Sequence, residues 1–140
     1  CLKLFREGAV QAGRDASALR TAAFIHFSVS EDGKSAREDV RRKLAFLFRN
    51  RLMAENIASS GISIDQDAIV DAVAARDLDK AATYVPDEAI EAFGVAGTVA
   101  DCKKSLEAYV ATGLDEPVIQ VAGDEAAKTL ALQVIREFTG

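Results

Sequence analysis

The sequence predicts an α/β fold that is rich in helix and short of strand. Three observations carry that prediction. The run Thr21–Val29, TAAFIHFSV, and the run Glu116–Val121 have the short, β-branched and aromatic character of strands. Elsewhere apolar residues recur at helical spacing. The stretch Val85–Val121 then spells a helix, a Gly–Thr break, a second helix, a Gly stop and a strand, which is one αβ step of a repeating fold. A chain of 140 residues fits one domain with a sizeable core.

Taken in order, Leu2–Ala12 places Leu4, Phe5, Ala9 and Val10 at helical spacing and stops at Gly13. Gly13-Arg14-Asp15 forms a turn, with Asp15 or Ser17 as a local cap. In the first strand Ala23, Ile25, Phe27 and Val29 form one row, and Phe24, His26 and Ser28 the other. Ser30-Glu31-Asp32-Gly33 opens a long helical pattern from about Lys34 to Asn56, with Val40, Leu44, Leu47, Phe48 and Leu52 on its apolar stripe. Ser63 with Gln66 three positions on reads as a capping box for a helix through Ala75. A short helix or turn follows from Asp77 to Ala82. Pro86 suits a first helical turn, and Asp87 and Glu88 complement its dipole. Gly94 to Gly97 is expected to be a break, after which Thr98 and Asp101 open a helix carrying Cys102, Leu106, Tyr109 and Val110. Gly113 closes that helix, the second strand follows, and Gly123-Asp124 opens a last helix with Leu130, Val134, Ile135 and Phe138 inward. The expected total is about seven helices and two strands. Two strands so widely separated do not make an open sheet alone, which implies a part of something larger.

Composition narrows the function classes. Apolar residues make up 49% and charged residues 28%, as in ordinary globular domains. The formal net charge is −5, which disfavours nucleic acid as a partner. The basic residues Arg37, Arg41, Arg42, Lys43, Arg49 and Arg51 lie on a helix with apolar residues between them, so they read as a solvated face. Cys1 and Cys102 have no CxxC partner and no metal-ligand spacing, which points to a reduced, cytoplasmic setting without a metal site. No apolar run approaches the roughly 18 residues a membrane span needs, so no membrane partner is expected.

Several of these segments also resemble a known family. VPDEAIEAFGVAGTVADCKKSLEAYVATGLDEPVIQV is similar to the C-terminal motif of the luciferase-like flavin-dependent oxidoreductases, with Pro86, Asp87, Glu88, Phe93, Ala96, Gly97, Thr98, Cys102, Leu106, Gly113 and Val118 in the matching positions. EGAVQAGRDASAL and SVSEDGKSAREDVRRKLAFLF resemble that family's helix-to-strand and strand-to-helix steps. The methylene-tetrahydromethanopterin reductase-like branch, which uses a deazaflavin coenzyme, is the nearest in wording. The resemblance implies that residues 1–140 form a single partial-barrel domain, the C-terminal portion of a (β/α)8 TIM barrel, supplying roughly its final third and about two strands. It further implies a parent oxidoreductase or monooxygenase that uses a flavin or deazaflavin and acts on a small molecule. Most cofactor contacts of that family lie on earlier strands, so this chain alone is expected to bind no cofactor and to be inactive. The alternative is a non-catalytic helix-rich module that self-associates as a homo-oligomer.

The site candidates follow from the strands. If Ala23, Ile25, Phe27 and Val29 face outer helices, then Phe24, His26 and Ser28 face the barrel lumen. Near the C-terminal end of a barrel strand such residues are often functional. Gln120 takes the same place on the last strand. His26, Ser28 and Gln120 are therefore candidates for a substrate or cofactor pocket, with no catalytic residue assigned; each is also consistent with a plain interior or rim residue. Gly97-Thr98 and Gly123-Asp124 read as helix caps rather than anion sites. Cys102 reads as a core thiol, and Asp87 and Glu88 as helix-start charges.

Overall fold

A computed structural model describes residues 2–139. Its elements are α1 (Leu2–Gln11), β1 (Ala22–Val29), α2 (Lys34–Phe48), α3 (Ala54–Ser60), α4 (Gln66–Ala74), α5 (Leu78–Thr83), α6 (Asp87–Phe93), β2 (Gly94–Gly97), α7 (Val99–Ala111), β3 (Glu116–Val121) and α8 (Glu125–Thr139), with 3-10 turns at Ala16–Ala18 and Arg51–Met53.

The sheet has three parallel strands in the order β2-β1-β3, one more than the sequence reading expected. The missed strand is Gly94–Gly97, and its glycines are the reason it reads as a break. Gly94 is there because two backbones and a helix meet on it. A Cβ at that position would stand 2.8 Å from Val40 Cγ1 and 3.0 Å from the His26 carbonyl oxygen. All four β2 residues are buried.

Register fixes which side chains share a face. His26 pairs with Gly94 and Gln120, Phe24 with Val118, and Ser28 with Ala96. On the opposite face Ile25, Phe27, Val29 and Val95 form a core with Cys102 and Leu106 of α7 and Ala131 and Val134 of α8. Ala96 belongs to a separate core with Val40, Leu44 and Phe48 of α2 and with the helices that follow it. Helices therefore cover both faces, with α2 over β1 and β2 on one side and α7 and α8 on the other. Right-handed crossovers account for this, since β1 to β2 and β2 to β3 step across the sheet in opposite directions. Each fully buried Phe or Ile contributes roughly 1.5–3 kcal/mol of transfer free energy to these layers.

Local chemistry explains the remaining departures. The long helical pattern stops at Phe48, eight residues before its expected end, because Asn50 is extended and its side-chain oxygen accepts from the Leu52 N–H at 3.0 Å. Gln66 holds that break by donating its amide to the carbonyls of Phe48 (2.8 Å) and Asn50 (3.0 Å). Leu52 thus leaves the apolar stripe and is exposed. Asp65, not Ser63, caps α4, accepting from the Ala68 N–H at 2.9 Å. Of the apolar residues expected to anchor α1, only Ala9 is buried. Val110 is exposed on α7, whereas Cys102 and Leu106 are buried as expected.

Candidate functional site

The face of the sheet shared by Phe24, His26, Ser28, Val118 and Gln120 is covered unevenly. Over its C-terminal end α2 packs tightly. Ser28 is fully buried there, and its hydroxyl donates to Asp39 Oδ2 of α2 at 3.2 Å. Ser28 is therefore closed off beneath a helix. Elsewhere on the same face Phe24 of β1 and Val118 of β3 are 63% and 43% exposed.

A groove of about 380 Å³ is lined by Asp39, Arg42, Lys43 and Phe46 of α2, Leu78 of α5, and Ala122 and Gly123 just after β3. His26 and Gln120 stand side by side on the adjoining sheet face through their register pairing. The ring of Phe24 meets that of His26 edge-on, with centroids 6.1 Å apart. Thus two of the three candidates come together and the third serves the packing of α2.

The electrostatics of His26 follow from this position. Burial pushes the imidazole below its ordinary value, Gln120 opposes the shift by favouring the charged ring, and the nearby Lys43 ammonium lowers it further. The net result is a neutral ring at neutral pH. Its Nδ1 is buried and has no hydrogen-bond partner. Lys43 and Phe46 were not singled out as site residues. They are about one helical turn apart on α2 and both line the groove, and tertiary packing brings Lys43 close enough to His26 to act on its charge.

The remaining polar signals resolve into structure. Thr98 and Asp101 form a reciprocal capping box, with the Thr98 hydroxyl and N–H both donating to Asp101 Oδ2 at 2.7 and 3.0 Å. That hydrogen bonding from Thr98 holds the Asp101 carboxyl below its ordinary range. The N-terminus of α7 therefore carries its own carboxylate and has no need of an external anion. Asp124 likewise accepts from the Ala127 N–H at 2.9 Å and caps α8. Asp87 accepts from Arg41 at 2.5 Å and lies 3.6 Å from Arg37, so it is a salt-bridge partner. Arg42 and Arg51 pair with Asp79 and Asp67. Cys102 is fully buried, and burial pushes its thiol up to about 12, well out of the reactive range. Among the described residues no group of three or more His, Cys, Asp or Glu side chains could hold a metal ion, and no helix is long and apolar enough to cross a membrane.

Comparison with solved structures places this arrangement. The coenzyme F420-dependent tetrahydromethanopterin reductase from Methanopyrus kandleri superposes on 98% of the chain with a TM-score of 0.78 and 25% sequence identity. The chain spans 41% of that reductase's length, somewhat more than the third expected. This agrees with a C-terminal portion of a TIM-barrel reductase, helix-rich and of α/β class. A family model described as luciferase-like monooxygenase matches residues 2–116, from α1 to the first residue of β3. By that match, which covers most of its length, the chain belongs to the luciferase-like monooxygenase family.

Proposed function

We propose that this chain supplies the C-terminal portion of a flavin- or deazaflavin-dependent oxidoreductase, and that the face carrying His26 and Gln120 borders the pocket for a cofactor ring or a small-molecule substrate. The observation that carries this reading is the pairing of His26 with Gln120 beside the groove under Lys43 and Phe46. When bound, a flavin-type ring supplies the hydride chemistry. The chain's own residues fit the edge of such a ring. Phe24 and Phe46 offer apolar surface, Gln120 offers both a donor and an acceptor, and Lys43 offers a cation without an ion-pair partner among the described residues. A neutral His26 can accept or donate a single proton at neutral pH.

The groove is small and open along β3. Pockets for cofactor-sized ligands usually run from about 300 to 1,000 Å³ and bury most of the ligand, so about 380 Å³ with one open side is part of a site. The isolated chain therefore holds cofactor weakly and turns nothing over. Titration of the chain with flavin mononucleotide, followed by NMR, tests this. Small, unsaturated shifts centred on the His26 ring and the Gln120 amide are expected. Shifts confined to other regions, with His26 and Gln120 silent, count against the assignment.

A second reading is favoured by a separate observation. Phe24 and Val118 are exposed together on the sheet, and β3 is an edge strand. Such surfaces favour association, so the chain acts as a self-associating module in a reducing cytoplasmic setting. A strictly monomeric species in light scattering at high concentration argues against it.

A further inference from the structure

We propose that Asp39 selects the ligand of the groove: one carboxylate oxygen accepts from a ligand N–H that has a carbonyl beside it, the imide edge that flavin and deazaflavin rings share. This inference rests on the pocket reading and names the part of the ligand that the pocket holds.

Asp39 is fixed from two sides by residues of this chain. Its Oδ2 accepts from the fully buried Ser28 hydroxyl at 3.2 Å. Gly123, just after β3, comes against the same oxygen, because a Cβ there would stand 2.8 Å from Asp39 Oδ2 and 3.3 Å from Ser28 Oγ. A side chain at position 123 therefore displaces the carboxylate. A buried serine and a glycine thus hold this one carboxyl group on the wall of the groove. Its Oδ1 accepts no hydrogen bond from the described residues, and no ion pair joins Asp39 to a cation among them. A carboxylate accepts several donors, so the group keeps capacity for one from a ligand.

Charge decides what kind of donor this is. Asp39 also lines the next cavity, together with Glu31 and Asp124. Three carboxylates at one corner repel a phosphate or carboxylate tail. The neutral ring edge of a cofactor meets no such repulsion.

Position fits the same edge. His26 and Gln120 are register partners, and two residues on along each strand come Ser28 and Ala122 on the same face. That step is about 6.5 Å, within the length of a fused three-ring system. A ring resting against His26 and Gln120 therefore brings one edge to Asp39. Lys43 lies four residues along α2 from Asp39 and lines the same groove. A cyclic imide has an N–H between two carbonyls. It gives Asp39 a donor and Lys43 an acceptor at once.

NMR titration of the 140-residue chain with flavin mononucleotide and with its N3-methyl derivative tests the proposal. The methyl group removes the ring N–H and keeps both carbonyls and the phosphate. The wild-type chain should prefer the unmethylated flavin by about tenfold, read from the initial slopes of the shifts at the Gln120 amide and the His26 ring. Asp39→Asn separates the hydrogen bond from the bulk of the methyl group. Its oxygen still accepts from Ser28, which turns the amide NH2 toward the ligand, so the preference should shrink by about threefold or more. Asp39→Leu combined with Ser28→Ala removes both members of the buried pair without leaving either one unpaired, and should shrink the preference in the same way. Equal slopes for the two flavins on the wild-type chain overturn the proposal, and so does a preference that both variants keep in full. Silence of His26 and Gln120 toward both flavins overturns the pocket reading and this one with it. Shifts at His26 and Gln120 without preference overturn this one alone.

Discussion

The Ser28 hydroxyl donates to the Asp39 carboxylate at 3.2 Å, and this contact pins α2 to the strand that carries His26. Ser28 is fully buried, so removing its partner leaves an unpaired polar group in a confined place. Ser28→Ala should cost about 1–2 kcal/mol in urea unfolding. Asp39→Ala should cost a similar amount, and the double variant should cost less than the sum. Additive losses would show that the two groups do not interact.

His26 makes stability depend on pH in a definite direction. Burial holds its folded value below the ordinary 6.5, so the unfolded chain binds a proton that the folded chain resists. Its contribution is present above about 6.5 and is lost as pH falls toward the folded value. Thermal unfolding between about pH 7.5 and 5 should therefore show a falling Tm that His26→Gln flattens. Because His26 is the only histidine, its ring resonances need no further assignment, and an NMR midpoint at or above the ordinary value would contradict the burial argument.

Arg41 ties α2 to the start of α6. It donates to the Val85 carbonyl and to Asp87, both at 2.5 Å, and contacts Glu38 at 3.2 Å, while itself being mostly buried. Arg41→Ala should destabilise by about 2 kcal/mol in chemical denaturation. Arg41→Lys should recover little of that, because one ammonium cannot reach the carbonyl and the carboxylate in the same fork. Full recovery by lysine would mean that charge alone matters here.

Gly94 tests why the sheet has its third strand. An added methyl would meet Val40 and the His26 carbonyl at distances that force α2 or β1 to move. Gly94→Ala should cost about 1–3 kcal/mol as overpacking, read by denaturation, and should disturb the NMR shifts of His26 on the neighbouring strand. An unperturbed variant would argue against the close packing of β2 under α2.

These cases also mark what the sequence made legible. Ala23, Ile25, Phe27 and Val29 alternate in a way that identifies β1, and β3 follows from its position after Gly113. The cap at Thr98 and Asp101 is local chemistry and is visible in four residues. Gly94–Gly97 was hidden because glycine in a buried strand serves contacts made by distant residues, which no local pattern records. Asn50 ended α2 through a side-chain bond that competes with the helix, against an apolar spacing that runs on past it. At the candidate site, the alternation of each strand put His26 and Gln120 on plausible faces, but their adjacency depends on register. Ser28 shares the row of His26 and yet lies under α2, because one helix covers only the C-terminal end of that face. Lys43 and Phe46 belong to an ordinary amphipathic helix in sequence, and only packing brings them to the groove.

The central claim is that this chain carries one side of an oxidoreductase pocket and is not a complete enzyme. The most direct measurement is the absorbance spectrum of the purified 140-residue chain, taken with an assay for turnover in the presence of added flavin or deazaflavin. The account predicts no retained flavin-type absorbance and no turnover. Stoichiometric bound flavin or deazaflavin accompanied by catalysis would contradict it.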